Sequence, residues 1–169
     1  MRLRRRAVPE PVRHRDSLLP GERVLAWATL PRAGRARSYA VATQRALHAE
    51  VLPTGRVPWD AVVRASWDEP WLDVLVDVAG AGRRRVRLEL TEPGEVPVVV
   101  RERVNASIVV AQRVELRDNA GARLVGRRGS DDGVLRWDVV FDAGLDPQDP
   151  MLRDLAEAAL AELRSGWGV

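Results

Sequence analysis

The chain has 169 residues, 46% apolar and 30% charged, with 27 basic against 24 acidic side chains and a formal net charge of +3; this is enough for one well-buried core and lies outside the disordered and fibrous classes. It contains no cysteine, which excludes disulfides, thiolate metal sites and cysteine nucleophiles. No run approaches the roughly 18 consecutive apolar residues of a membrane-spanning helix.

Residues 1–20 carry Arg2, Arg4, Arg5, Arg6, Arg13 and Arg15 among three prolines, with no apolar periodicity, and are expected to form a mobile arm. The basic start runs into Pro9-Glu10-Pro11 and not into the apolar core of a signal peptide, so the expected location is cytoplasmic. Every basic residue is arginine. That reads as the codon bias of a high-G+C bacterial genome before it reads as guanidinium chemistry, and it raises the isoelectric point to about 10.7.

From Glu22 the pattern alternates. Val24, Ala26, Ala28 and Leu30 share one face and Leu25, Trp27 and Thr29 the other, as in a strand buried on both sides. After Pro31-Arg32-Ala33-Gly34, strands are predicted from Ala36 to Thr43 and from Arg45 to Val51, joined by a tight hairpin. Arg56-Val57-Pro58 is a short strand, because proline cannot donate to an interior ladder, and Trp59-Asp60 marks its end. Val63, Ala65 and Trp67 continue the alternation until Asp68-Glu69-Pro70. Leu72, Val74, Val76 and Val78 then face inward, and Val86, Leu88 and Leu90 do so after Ala79-Gly80-Ala81-Gly82. Matching the apolar faces pairs Val76 with Val86 and Val74 with Leu88, which sets Asp77 across from Arg85 and Asp73 diagonal to Arg87.

Pro97 to Ser107 is predicted as a helix, with proline in the first turn and Val100, Val104 and Ile108 at fourfold spacing. Ile108, Val110, Val114 and Leu116 alternate again. A turn at Asp118-Asn119-Ala120-Gly121, a short strand through Leu124, a turn at Ser130-Asp131-Asp132-Gly133 and a strand with Leu135, Trp137, Val139 and Phe141 complete a three-stranded meander. The last element is a helix capped by Asp149, with Pro150 in its first turn, Leu152, Leu155, Ala159, Leu160 and Leu163 on one face and Gly166 as terminator.

The stretch Ala42-Thr43-Gln44-Arg45-Ala46-Leu47-His48, the turn Pro53-Thr54-Gly55, Val57-Pro58-Trp59-Asp60-Ala61-Val62-Val63 and Trp67 stand within seven strands and a helix in order between residues 22 and 107. This resembles the middle of bacterial PH-like and GRAM-like domains, over about half of the chain. The resemblance implies an α+β, mainly β fold: a partly open antiparallel β-barrel with a closing helix, here followed by the meander and an amphipathic C-terminal helix. The expected organisation is an arginine-rich arm at 1–20, a PH-like barrel at 21–107, and the meander plus helix at 108–169 packed on the same unit. Folds of this kind host many unrelated binding roles, so the resemblance implies a non-enzymatic binding or scaffolding module.

The residues agree with that. His14 lies in the arm, and His48 is read as a polar strand residue on an outer face; no GxSxG elbow, Walker loop, HExxH or dinucleotide fingerprint is present. Asp142, Asp146, Asp149 and Asp154 lack the spacing of a calcium loop and read as turn and capping residues. No catalytic residue, metal site or cofactor is expected. Arg83, Arg84, Arg85 and Arg87 form the densest basic cluster outside the arm, either contacting an anion or pairing across strands with Asp73 and Asp77. Arg2, Arg4, Arg5 and Arg6 are candidate contacts to an anionic membrane surface, at about 1 kcal/mol each, so the competing function is a peripheral membrane or nucleic-acid binder. Nucleic acid is disfavoured, because aromatic interleaving and a helix-turn-helix pattern are absent. Four of the six tryptophans sit in strand patterns; Trp71 and Trp167 are the candidate partner surface. The remaining partner expectations are a protein of unspecified identity and self-association through a sheet edge.

Overall fold

A computed structural model describes residues 7–13, 18–31 and 37–167. The fold is α+β and mainly β, with three antiparallel sheets, and the chain divides into two compact units. The first comprises residues up to Ser107 together with Ser130–Asp132, and the second Ile108–Gly129 together with Gly133 onward.

In the first unit a single helical turn, α1 (Glu10–Arg13), precedes a four-stranded meander of β1 (Val24–Thr29), β2 (Tyr39–Thr43), β3 (Ala46–His48) and β4 (Arg56–Pro58). A second meander of β5 (Val62–Asp68), β6 (Trp71–Val78) and β7 (Gly82–Glu89) follows, and then a helix, α2 (Val96–Ser107). The inward face of the first sheet is mostly small: Ala26, Ala28, Ala40, Ala42 and Ala49 are all buried. That shallow face is complemented by bulk from elsewhere, namely Trp59, Leu72, Val74, Val76 and Leu88, with Val96, Val100 and Val104 of α2 in the same core. Interiors are close-packed, so small residues on one layer require large ones on the layer facing it. Trp59 also donates its indole N–H to the Thr43 carbonyl at 3.0 Å, which satisfies its one polar atom inside the core.

The first sheet has a second apolar cluster on its other face. Tyr39 and Val41 are buried there, Trp27 meets Tyr39 edge to face at 5.8 Å, and the fully buried Val12 of α1 packs with them. The expected arm therefore contains a packed segment; Arg2, Arg4, Arg5, Arg6 and His14 lie outside the described residues. Strand β3 is also shorter than the predicted Arg45–Val51 run. The chain turns at Ala49, whose carbonyl accepts from Leu52 N–H, and leaves Val51 60% exposed.

The β6–β7 register differs from the expected one by two residues. Val74 pairs with Val86, Leu72 with Leu88, Asp73 with Arg87 and Asp77 with Arg83. The cause is a tighter turn, closed by Ala81 N–H donating to the Val78 carbonyl, with Gly80 at φ 75° in the position that needs a left-handed residue. A shift of two keeps every side chain on its face, so the apolar alternation fits either pairing and turn length decides between them.

In the second unit β8 (Ile108–Arg117), β9 (Ala120–Arg128) and β10 (Leu135–Phe141) form the expected meander in the order β10-β9-β8. Asp118 and Asn119, both at positive φ, make a two-residue turn, so Ala120 and Gly121 belong to β9 and that strand is longer than expected. On β9, Gly126 lies beneath Trp137: a Cβ there would fall 2.6 Å from Val110 Cγ1 and 3.1 Å from the indole ring. The helix α3 (Pro150–Gly166) starts where predicted, with the Asp149 carboxylate accepting from the N–H groups of Met151 and Leu152. Its inward stripe is Leu152, Ala156, Ala159, Leu160 and Leu163, whereas Leu155 is 46% exposed.

Candidate functional site

Two groups of charged side chains stand out in the first unit, one sealed and one presented. The sealed group lies on the face of the first sheet that carries the second apolar cluster. Strand pairing places His48 beside Arg56 and beside Val41, and the end of β2 adds Thr43. Glu22, in the lead-in to β1, reaches over them. Its carboxylate accepts from the Thr43 hydroxyl and the Leu19 N–H, and lies 3.0 Å from His48 Nε2 and 3.5 Å from an Arg56 nitrogen. Arg56 in turn forks onto Asp131 with two contacts of 2.8 Å, the strong bidentate geometry of a guanidinium on a carboxylate.

The Glu22 and His48 side chains have no solvent exposure. Burial works against the Glu22 charge, but the bonds from Thr43 and Leu19 and the neighbouring His48 outweigh it, and its pKa is lowered to about 2. Around this core the Gln44 side chain accepts from Arg23 N–H and donates to the Gly21 carbonyl. The Thr43 hydroxyl also accepts from Arg45 and Ala46 N–H, fixing the β2–β3 turn. The contacts of Glu22, Arg23 and Gly21 with Thr43, Gln44, His48 and Arg56 fasten residues 21–23 to the sheet, so the chemistry of the group is cohesion. His48 stands on the outer face, as alternation requires, but it is covered there and not solvated.

The presented group is the outer face of the second sheet. It carries Arg64, Ser66 and Asp68 from β5, Trp71, Asp73, Leu75 and Asp77 from β6, and Arg83, Arg85, Arg87 and Glu89 from β7. Asp73 serves two arginines, with Arg85 Nε at 2.9 Å and Arg87 Nε at 3.6 Å. Cross-strand pairing is thus realised for these two, through Asp73 and not through Asp77. The Arg87 guanidinium also lies 4.4 Å from the ring centre of the half-buried Trp71, a cation–π distance. Arg85 remains 72% exposed and Arg87 55%. Arg84 lies on the opposite face of the strand from Arg83, Arg85 and Arg87, and Arg84, Arg85 and Arg87 all border an open groove shared with Val51, Leu52 and Pro53, so the arginine run meets along the strand edge and not on one face.

The other predicted site residues fall into structural roles. Asp142 is forked by Arg113 at 2.8 and 2.7 Å and accepts from Gly121 N–H; the Arg113 bonds and then the Gly121 bond hold its carboxyl below the usual range. Asp146 accepts from Gln148 N–H in a turn, Asp149 caps α3 and Asp154 is exposed on it. Trp167 ends α3 at 47% exposure. Among the described residues no three His, Cys, Asp or Glu side chains gather as metal ligands, and no helix is long and apolar enough to cross a membrane. Comparison of the chain with protein-family models, with curated proteins and with solved structures finds no match.

Proposed function

We propose that the chain is a non-enzymatic binding or scaffolding module whose first unit is PH-like. The order of that unit supports the fold reading: four antiparallel strands, three antiparallel strands and a helix, with both sheets and the helix contributing to one core. The observation that carries the functional reading is the contrast between its two charged groups. His48 and Glu22 are sealed and satisfied; Arg85 and Arg87, the latter stacked on Trp71, project from neighbouring positions of one strand into solvent. Guanidinium forks and aromatic faces recognise a partner by contact, and strands hold them in fixed geometry.

The test is affinity capture from the native cell with the wild-type chain and with the double variant R85A/R87A, both checked for the same thermal midpoint. A partner retained by the wild type and lost with the variant is the expected result. If the two chains retain the same proteins, or neither retains any, the reading fails.

A further inference from the structure

Strand β7 is the outer strand of its sheet, with β6 on one side; on the other side Thr29 of β1 bridges Glu92 just past its end, and no described strand pairs with Gly82–Glu89 itself. An edge of this kind offers a row of main-chain donors and acceptors to another chain. Beside it lies an open groove of about 550 Å³, lined by Val51, Leu52 and Pro53 on one side and by Arg84, Arg85, Val86 and Arg87 on the other. We propose that this edge receives an extended acidic segment of a partner protein, added as a further strand; the proposal rests on the module reading and specifies its partner.

The occupant follows from the side chains. Arg84 and Val86 share the face of β7 turned to the core side, and Arg85 and Arg87 share the outer face. An added strand places each of its residues on the same face as the β7 residue opposite it. Opposite Arg84, Arg85, Val86 and Arg87 it therefore presents acid, acid, apolar, acid, and four residues span about 13 Å. The apolar side chain of the segment meets Val86 and the 60% exposed Val51, a contact that neither a phosphate headgroup nor a nucleic-acid backbone uses. The acidic side chains meet three guanidinium groups: Arg84 has no partner among the described residues, and Arg85 and Arg87 share the one carboxylate of Asp73. A second copy of the chain is disfavoured at this edge, because antiparallel pairing of β7 with itself sets arginine against arginine.

The probe is a labelled peptide with the core Glu-Glu-Val-Glu-Glu, which presents the required pattern in either strand direction. It is titrated against the full chain alongside its lysine counterpart, phosphatidylserine vesicles and duplex DNA. The expected result is saturable binding of the acidic peptide alone, with slowed amide exchange at Arg85 and Arg87, whose N–H groups face the open edge while those of Arg84 and Val86 face β6. R84E should weaken binding by about tenfold or more through like-charge repulsion, and R84K should restore it. Binding unchanged by R84E, binding without added amide protection on β7, no binding at millimolar peptide, or tighter binding of vesicles or DNA at the same arginines would each overturn strand addition. If the cellular partner is lost with R85A/R87A but kept with R84E, strand addition fails while the module reading stands; loss of the partner with both variants agrees with the proposal.

Discussion

Replacing Glu22 by glutamine separates a cohesive role from a solvated one. The carboxylate titrates at about 2 in the folded chain against an ordinary 4.5. At about 1.4 kcal/mol per pH unit, the difference corresponds to stabilisation on the order of 3 kcal/mol. The sign follows from proton counting. Between those two values the unfolded chain binds the proton and the folded chain does not, so stability is fully present above about pH 5 and declines as pH falls towards 2. In the E22Q variant the Glu22 share of that slope should vanish. Near neutral pH the variant should be less stable by about 2 to 3 kcal/mol, because His48 and Arg56 lose a charged acceptor while Arg56 keeps Asp131. Urea unfolding followed by far-ultraviolet circular dichroism from pH 2.5 to 7, for both proteins, measures this directly. Equal pH slopes for wild type and variant, or a neutral-pH difference below about 0.5 kcal/mol, would show that Glu22 behaves as a surface carboxylate and that the network does not hold residues 21–23.

Three further substitutions test the packing. V12A should cost about 2 kcal/mol in chemical unfolding, since two methyl groups leave a fully buried site beside Tyr39 and Val41, whereas an unpacked arm predicts no change. G126A should destabilise the second unit by about 1 to 3 kcal/mol, because the new methyl group falls 2.6 Å from Val110 Cγ1 and forces that side chain and Trp137 to move; a shift in thermal midpoint reads it. D149A should cost about 1 kcal/mol by removing the acceptor of Met151 and Leu152 N–H, seen as faster amide exchange in the first turn of α3.

Elements whose signal is local were legible in the sequence. The alternation of β6, the Asp149-Pro150 start of α3 and the strand limit at Pro58 each rest on a few adjacent residues, and each lies where those residues placed it. The β6–β7 register was not legible, because Val76 with Val86 and Val74 with Val86 satisfy the same apolar pattern, and the choice falls to a turn whose length four small residues leave open. The inward stripe of α3 was misplaced by one position, with Ala156 taking the site expected of Leu155, since at 3.6 residues per turn either lies close to the line through Leu152 and Ala159.

The sealed group escaped for a different reason. Glu22 and His48 are 26 residues apart, and neither sits in a pattern that names the other. The available signal was indirect: Tyr39-Ala40-Val41-Ala42-Thr43 is apolar or small at every position, the mark of a strand covered on both faces. A histidine on the adjoining strand, beside Val41, is then covered as well, and a covered imidazole requires a hydrogen-bonding partner. The polar lead-in to β1 provides that partner in Glu22. That places a buried charge of the first unit in the lead-in to β1, where it fastens the segment, and leaves Arg85 and Arg87 of the second sheet with donors still facing water.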